Sequence, residues 1–246
     1  MIELNKIYNQ DCMEIMKQLP DKYIDLIITD PPYGIGAKNI TNNKSRGGIT
    51  GFNGERRKKK VEAKEWKDNG EWDNSIPSEE YFKEMIRVSK NQIIFGGNYM
   101  TTYLKPSSCW IVWDKDNGDN DFADCELAWT SFPKAVRKFK WRWNGMLQED
   151  MKNKEERKHP TQKPLALGRW LLKRFANEGD KIFDPFAGSG TFLVASKQMG
   201  FEYVGCEINP DYVKIANERL SQKTMFDLMQ PLYVKKDGGN GLPPTD

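Results

Sequence analysis

An apolar run from Ile24 to Thr29 ends on Asp30-Pro31-Pro32-Tyr33-Gly34. Each residue in this turn brings one capacity. Asp30 is a carboxylate that accepts N–H or O–H hydrogens, and the Pro31 carbonyl is a second acceptor beside it. Pro31 and Pro32 have fixed φ, so the turn is ordered before any partner arrives. Tyr33 offers a flat face on which a planar group can stack. The combination describes a preformed cradle for a flat molecule whose hydrogens are to be accepted. The plainer alternative is a Pro-rich turn at a strand end, with Asp30 as a cap or turn acceptor.

A second cluster follows the strand-like Lys181 to Phe183. It reads Asp184-Pro185-Phe186-Ala187-Gly188-Ser189-Gly190-Thr191, placed where the next helix begins. Glycines at a strand-to-helix turn let a ligand approach the backbone closely. Glu207 ends the following strand, where an acidic side chain can accept from both hydroxyls of a ribose. The third Gly of a GxGxxG pattern is missing, as is a GxxxxGK[ST] run, so neither a pyrophosphate nor a triphosphate is the indicated ligand.

The elements that must hold these turns lie at opposite ends of the chain. Ile7-Tyr8 leads into a short helix ending near Leu19-Pro20, and Ile24 to Thr29 forms a buried strand. Toward the C-terminus, strands at Lys181 to Phe183 and Tyr203 to Cys206 alternate with helices at Thr191 to Met199 and Pro210 to Leu220, the last with Pro at its first turn. Strands alternating with helices argue for a doubly wound α/β sheet covered on both faces. Ile93 to Phe95, Trp110 to Trp113 and Leu127 to Thr130 read as further strands, with a helix over about Ser78 to Val88.

Basic residues gather in two places. Residues 35–75 read as a long basic loop insertion, with Lys38, Lys44, Arg46 and the run Arg56-Arg57-Lys58-Lys59-Lys60. Lys134, Arg137, Lys138, Lys140 and Arg142 interleave with Phe139, Trp141 and Trp143 at a period of two, as on a strand that separates charges from rings. Such a strand suits phosphate contact and base stacking; the alternative is rings in the core and a solvated basic face. The formal charge of the 246-residue chain is only +3, so any polyanion affinity comes from these clusters. Cys12, Cys109, Cys125 and Cys206 follow no metal-ligand spacing and read as reduced thiols of a cytoplasmic protein. No run approaches the roughly 20 apolar residues of a membrane span. Residues 235–246 are rich in Gly and Pro and read as a disordered tail.

The three motifs DPPYG, DPFAGSGT and HPTQKP (His159 to Pro164) together resemble the amino-group DNA methyltransferases, which use S-adenosylmethionine to modify N6 of adenine or N4 of cytosine. Here DPPYG precedes the glycine turn, and HPTQKP stands just before it, an order similar to the circularly permuted β group. The resemblance implies a mainly parallel seven-stranded, Rossmann-like sheet in one catalytic domain over residues 1–225. It implies a small target-recognition element over 131–158, with Lys134, Arg137, Lys138, Lys140 and Arg142 as its DNA contacts. It further implies that Asp11 faces the cofactor adenine and Glu207 its ribose. Asp30, Asp184, Phe186, Ala187, Gly188, Ser189, Gly190 and Thr191 border the cofactor, while Thr161, Gln162 and Lys163 close over its amino-acid end. His159 is the only histidine and reads as a turn residue. Double-stranded DNA is the implied partner; the family also admits a homodimer and a companion restriction enzyme.

The resemblance gives the cradle its chemistry. An exocyclic base amine is a poor nucleophile because its lone pair is delocalised into the ring. Asp30 and the Pro31 carbonyl, by accepting its two hydrogens, draw the nitrogen toward tetrahedral geometry and free that pair. Pro32 stiffens the turn, and Tyr33 stacks on a base that must leave the duplex to be reached. Asp30, where cytosine-modifying relatives more often carry Ser, favours adenine. Cytosine N4, an RNA or protein-amide substrate, and a silent nucleic-acid-binding protein are the competing expectations.

Overall fold

The computed structural model describes residues 2–36, 73–118, 123–144, 147–158 and 161–222. Most of the basic insertion, His159, Pro160 and the 235–246 tail therefore lie outside the described residues. In chain order the elements are β1 (Lys6–Tyr8), α1 (Cys12–Met16), β2 (Ile24–Thr29), α2 (Glu79–Val88), β3 (Ser89–Phe95), β4 (Trp110–Asp114), β5 (Cys125–Thr130), β6 (Arg137–Lys140), β7 (Trp143–Asn144), β8 (Leu147–Gln148), α3 (Leu165–Phe175), β9 (Lys181–Asp184), α4 (Thr191–Gln198), β10 (Glu202–Cys206) and α5 (Pro210–Leu220).

Eight strands form one sheet in the order β1-β10-β9-β2-β3-β5-β4-β6, and β7 and β8 form a separate antiparallel hairpin. From β1 to β3 all pairings are parallel; β5 runs antiparallel to both β3 and β4. The mainly parallel α/β sheet is thus as expected, with one strand more than seven. The extra strand is β6, which adds to β4 in parallel from within the stretch expected to read DNA.

The central strands are buried on both faces because their residues alternate between two apolar layers. Leu26 and Ile28 of β2, Ile93 and Phe95 of β3 and Ile182 of β9 pack with α3, α4 and α5. Ile27, Ile94 and Phe183 point the other way, against α1 and α2. Helix α2 is amphipathic, burying Phe82, Met85 and Val88 at helical spacing. Helix α4 is buried along Thr191 to Ser196 because it sits between the sheet and its two neighbouring helices. Helix α5 starts at Pro210, with the Asn209 side chain accepting from the Asp211 N–H.

This topology fixes where chemistry can occur. The chain leaves β9 toward β10 on one side and leaves β2 toward β3 on the other, so strand order reverses between the adjacent parallel strands β9 and β2. Ligands of open α/β sheets bind in the crevice at the carboxyl ends of such strands. Both sequence turns start there.

Candidate active site

A cavity of about 800 Å³ opens at this crevice. Asp30 and Pro32 of the first turn border it, as do Asp184, Phe186, Ala187, Gly188, Ser189 and Thr191 of the second. Asp11, Glu207, Thr161, Gln162 and Lys163 complete the expected set. Thus residues from five separate stretches converge. Gly190 is the exception: it stands behind the cavity as the left-handed residue before α4, at φ +77°. A Cβ there would lie 2.9 Å from the Ala216 side chain, so only glycine lets α4 start this close to α5.

Glu207 is fixed rather than loose. One carboxylate oxygen accepts from the Gly188 N–H at 2.8 Å and the other from the Asn209 N–H at 2.7 Å. A carboxylate held in this way presents its acceptor oxygens in a fixed orientation. Asp11 is similarly committed, accepting from the Met13 N–H at 2.8 Å and from the Tyr81 hydroxyl at 2.7 Å. Phe186 and Tyr81 stand 6.1 Å apart at that end, and exposed Ile208 adds apolar surface beside Glu207. The cavity therefore has an apolar end with acidic acceptors, which suits a nucleoside. Tyr81 and Ile208 carry no motif and were not legible as site residues.

The first turn is pinned from several directions. The Tyr33 hydroxyl donates to Asp30 Oδ1 at 2.5 Å, and the Lys163 ammonium donates to Asp30 Oδ2 at 2.5 Å. Asp73 accepts from the Tyr33 and Gly34 N–H groups at 2.8 and 3.0 Å. Tyr33 stacks on exposed Tyr99, with ring centroids 5.2 Å apart. Pro31 is buried and holds the turn against the sheet end.

Lys163 occupies a different place from the one the family resemblance suggested. Although it borders the cavity, its ammonium sits between Asp30 and Glu126 of β5, 3.0 Å from Glu126 Oε2. Lys115 holds the other Glu126 oxygen at 2.6 Å. Burial alone would raise Glu126, but Lys163 and Lys115 outweigh it and hold its carboxyl at about 2. Burial opposes the charge on Lys163, yet Asp30 and Glu126 prevail and keep it an ammonium. For Asp30 burial dominates over Lys163 and moves its carboxyl upward. Gln162 braces its own loop: its side chain accepts from the Lys158 N–H, and its carbonyl accepts from the Trp143 indole, each at 2.8 Å.

The basic strand is less exposed in charge than its sequence suggests. Lys138 pairs with Asp114, while Lys140 and Arg142 both pair with Asp116. Lys134 lies over the rings of Phe132 and Phe175. Phe139 packs on Trp141 and Trp170, and Trp143 is buried with its N–H engaged, so these rings serve the core.

Fold and cavity together define a doubly wound α/β protein with a nucleoside-sized site at the point where strand order reverses. A family model described as DNA methylase (N6_N4_Mtase) matches residues 126–218. The type II methyltransferase M.HpaI of Haemophilus parainfluenzae is 27% identical over 87% of this chain and 73% of its own length. M2.MboI of Moraxella bovis is 26% identical over 89% of this chain and 88% of its own. Among solved structures, the M1.HpyAVI–SAM complex superposes with a TM-score of 0.51 at 24% identity, covering 88% of this chain and 99% of that one. The cytosine-N4-specific PvuII DNA methyltransferase does so with 0.54 at 13% identity, covering 96% and 93%. Over residues 126–218 the chain is thus similar to the N6/N4 amino-methyltransferases, and the similarity to the curated relatives extends over most of its length. Among the described residues no helix is long and apolar enough to cross a membrane.

Proposed function

We propose that the protein is a DNA methyltransferase that transfers the methyl group of S-adenosylmethionine to N6 of an adenine flipped out of double-stranded DNA. One observation carries this reading: the Asp30 turn and the glycine turn leave adjacent parallel strands and open into one cavity. A methyl donor held by one turn then meets an amine held by the other.

The residues present fit that cofactor. All of them line the cavity, where Glu207 would accept from its ribose, Asp11 and Phe186 would border its base, and Gly188, Ser189 and Thr161 would border its amino-acid end. S-adenosylmethionine supplies, when bound, a sulfonium methyl that an amine nitrogen takes with loss of one proton. Asp30 and the Pro31 carbonyl accept the amine hydrogens, and the Asp30 carboxylate receives the proton that is shed. Tyr33, backed by Tyr99, gives the flipped base its stacking surface. Lys134, Arg137, Lys138, Lys140 and Arg142 are the proposed phosphate contacts. The reading extends to a companion restriction enzyme and a cytoplasmic setting, in keeping with relatives named type II methyltransferases, and to a homodimer, which sedimentation tests.

The test is nucleoside mass spectrometry of unmethylated DNA incubated with the protein and S-adenosylmethionine, beside an Asp30→Ala protein. N6-methyladenine made by the intact protein alone is the expected result, with cofactor binding retained by the variant. N4-methylcytosine would move the reaction to the other base, and no methylated base would overturn the proposal.

A further inference from the structure

The buried charges behind the Asp30 turn form a chain, Lys115–Glu126–Lys163–Asp30, that no motif announces. In the structure Lys163 occupies Asp30 Oδ2, and the Tyr33 hydroxyl occupies Oδ1. An incoming amine must donate to this same carboxylate, so it competes with these two short bonds, most directly with the Lys163 ammonium on Oδ2. The Lys163 side chain is almost wholly buried, and an ammonium that lost its partner there would be a bare interior charge. Phe95 and Tyr33 flank it with ring faces at 5.3 and 5.7 Å, and the Tyr33 hydroxyl is 3.5 Å away, which leaves the two carboxylates as its close, charged hydrogen-bonding destinations.

We infer that Glu126 is a positioning residue for methyl transfer: it is the second seat for the Lys163 ammonium, receiving it when the target amine takes Asp30 Oδ2. The inference rests on the proposed transfer to an amine. Glu126 Oε1 is held by Lys115 at 2.6 Å, whereas Oε2 meets Lys163 at 3.0 Å without the angle of a hydrogen bond. Oε2 therefore has bonding capacity in reserve on the side that faces Lys163. A small shift of the Lys163 side chain from Asp30 toward Glu126 converts contact into bond, and the charge stays buried and paired throughout.

The same arrangement balances charge over the reaction. Before transfer, two ammonium groups face two carboxylates. When Asp30 takes the amine proton it becomes neutral, and Glu126 is then the anion that keeps Lys163 compensated. The groups that set Asp30 are Tyr33 and Lys163 in contact and Glu126 beyond Lys163; Lys115 acts on Glu126, while Asp184 on the neighbouring strand end and Arg157 feel Asp30 and Glu126 in turn.

The test is the pH dependence of kcat/KM for methyl transfer by Glu126→Gln beside the intact protein. Without its second seat Lys163 stays on Asp30, and the field of Glu126 that raised Asp30 is gone. The acid limb, set by protonation of Asp30, moves to lower pH, and kcat at neutral pH falls about tenfold or more, roughly 1.4 kcal/mol of barrier. KM for S-adenosylmethionine stays within about twofold, as expected when the lost interaction matters only in the transfer step. Glu126→Asp restores part of kcat. Lys115→Met, which leaves Glu126 freer to draw Lys163 off Asp30, moves the limb the opposite way and serves if Glu126→Gln fails to fold. An acid limb that stays in place in the folded variants overturns the inference. Absence of transfer by the intact protein would instead strike the proposed function.

Discussion

The Thr29 hydroxyl donates to Asp184 Oδ1 at 2.8 Å, joining the ends of the two neighbouring strands from which both chemical turns depart. Asp184 is buried, and burial pushes its carboxyl up from 3.8 to about 8, against the opposing bonds from Thr29 and the Phe186 N–H. The folded protein therefore holds a proton on Asp184 that the unfolded chain releases above about pH 4. The stability this contributes is full below the unfolded value and is lost as pH rises through about 8.

Asp184→Asn removes that titration while keeping an acceptor for Thr29. Thermal melts of the ligand-free protein should then lose a component worth up to about 1.4 kcal/mol per pH unit between about pH 4 and pH 8. Melting temperatures that fall with pH as steeply in the variant would show that Asp184 is ionised in the folded state.

Asp73, near the end of the 35–75 insertion, grips the turn that follows β2. Besides the Tyr33 and Gly34 N–H bonds, its own carbonyl accepts from the Gly36 N–H at 3.2 Å. Asp73→Ala leaves two backbone donors without their acceptor and lets the Asp30 cradle shift. Misplacement of a reacting group by about 1 Å can cost on the order of a hundredfold, so kcat should fall by roughly ten- to a hundredfold. Cofactor affinity, measured by calorimetry, should change little, because the glycine turn is untouched. Equal losses in kcat and cofactor affinity would place Asp73 in the general stability of the crevice.

Gly96 makes room for the Tyr33 ring. A Cβ at this position would lie 2.1 Å from that ring, and φ is +66°, a conformation that side-chain-bearing residues rarely adopt. Gly96→Ala therefore displaces Tyr33 from both Tyr99 and Asp30. The expected outcome is a loss of about 1–3 kcal/mol in urea unfolding together with a large drop in transfer rate. Wild-type kcat in a folded Gly96→Ala protein would remove the Tyr33–Asp30 bond from the mechanism.

The features legible in the sequence are those that local chemistry dictates. DPPYG and DPFAGSGT declare themselves because prolines, glycines and acids at strand ends have few other uses, and short continuous apolar runs mark β2, β3 and β9 as buried strands. Lys163 was legible as a site residue but not in its role, because its partners Asp30 and Glu126 reach it only through strand order. Glu126 gave a faint signal as an acid within the apolar run Cys125 to Thr130. Asp73 gave none, since it lies near the end of a long insertion whose length hides what it meets. The basic strand was misleading in charge for the same reason: β6 lies against β4, placing Lys140 opposite Asp114, and no local pattern reveals that pairing.

That pairing shapes the DNA-contact prediction. Lys138 and Lys140 are exposed, so substituting both with Gln should leave the fold intact. Each phosphate contact adds about 0.9 to the slope of log affinity against log salt, so the double variant should flatten it by nearly 2 if both residues reach DNA. Asp116 restrains Lys140 and Arg142, which gives a second, opposite arm. Asp116→Asn releases both cations, and binding to a nonspecific duplex should tighten at low salt, most visibly where screening is weakest. Binding curves across a salt series decide between two roles for the strand. An unchanged slope in the double variant, with no gain from Asp116→Asn, would mean that these ion pairs close the sheet edge and that the duplex lies elsewhere.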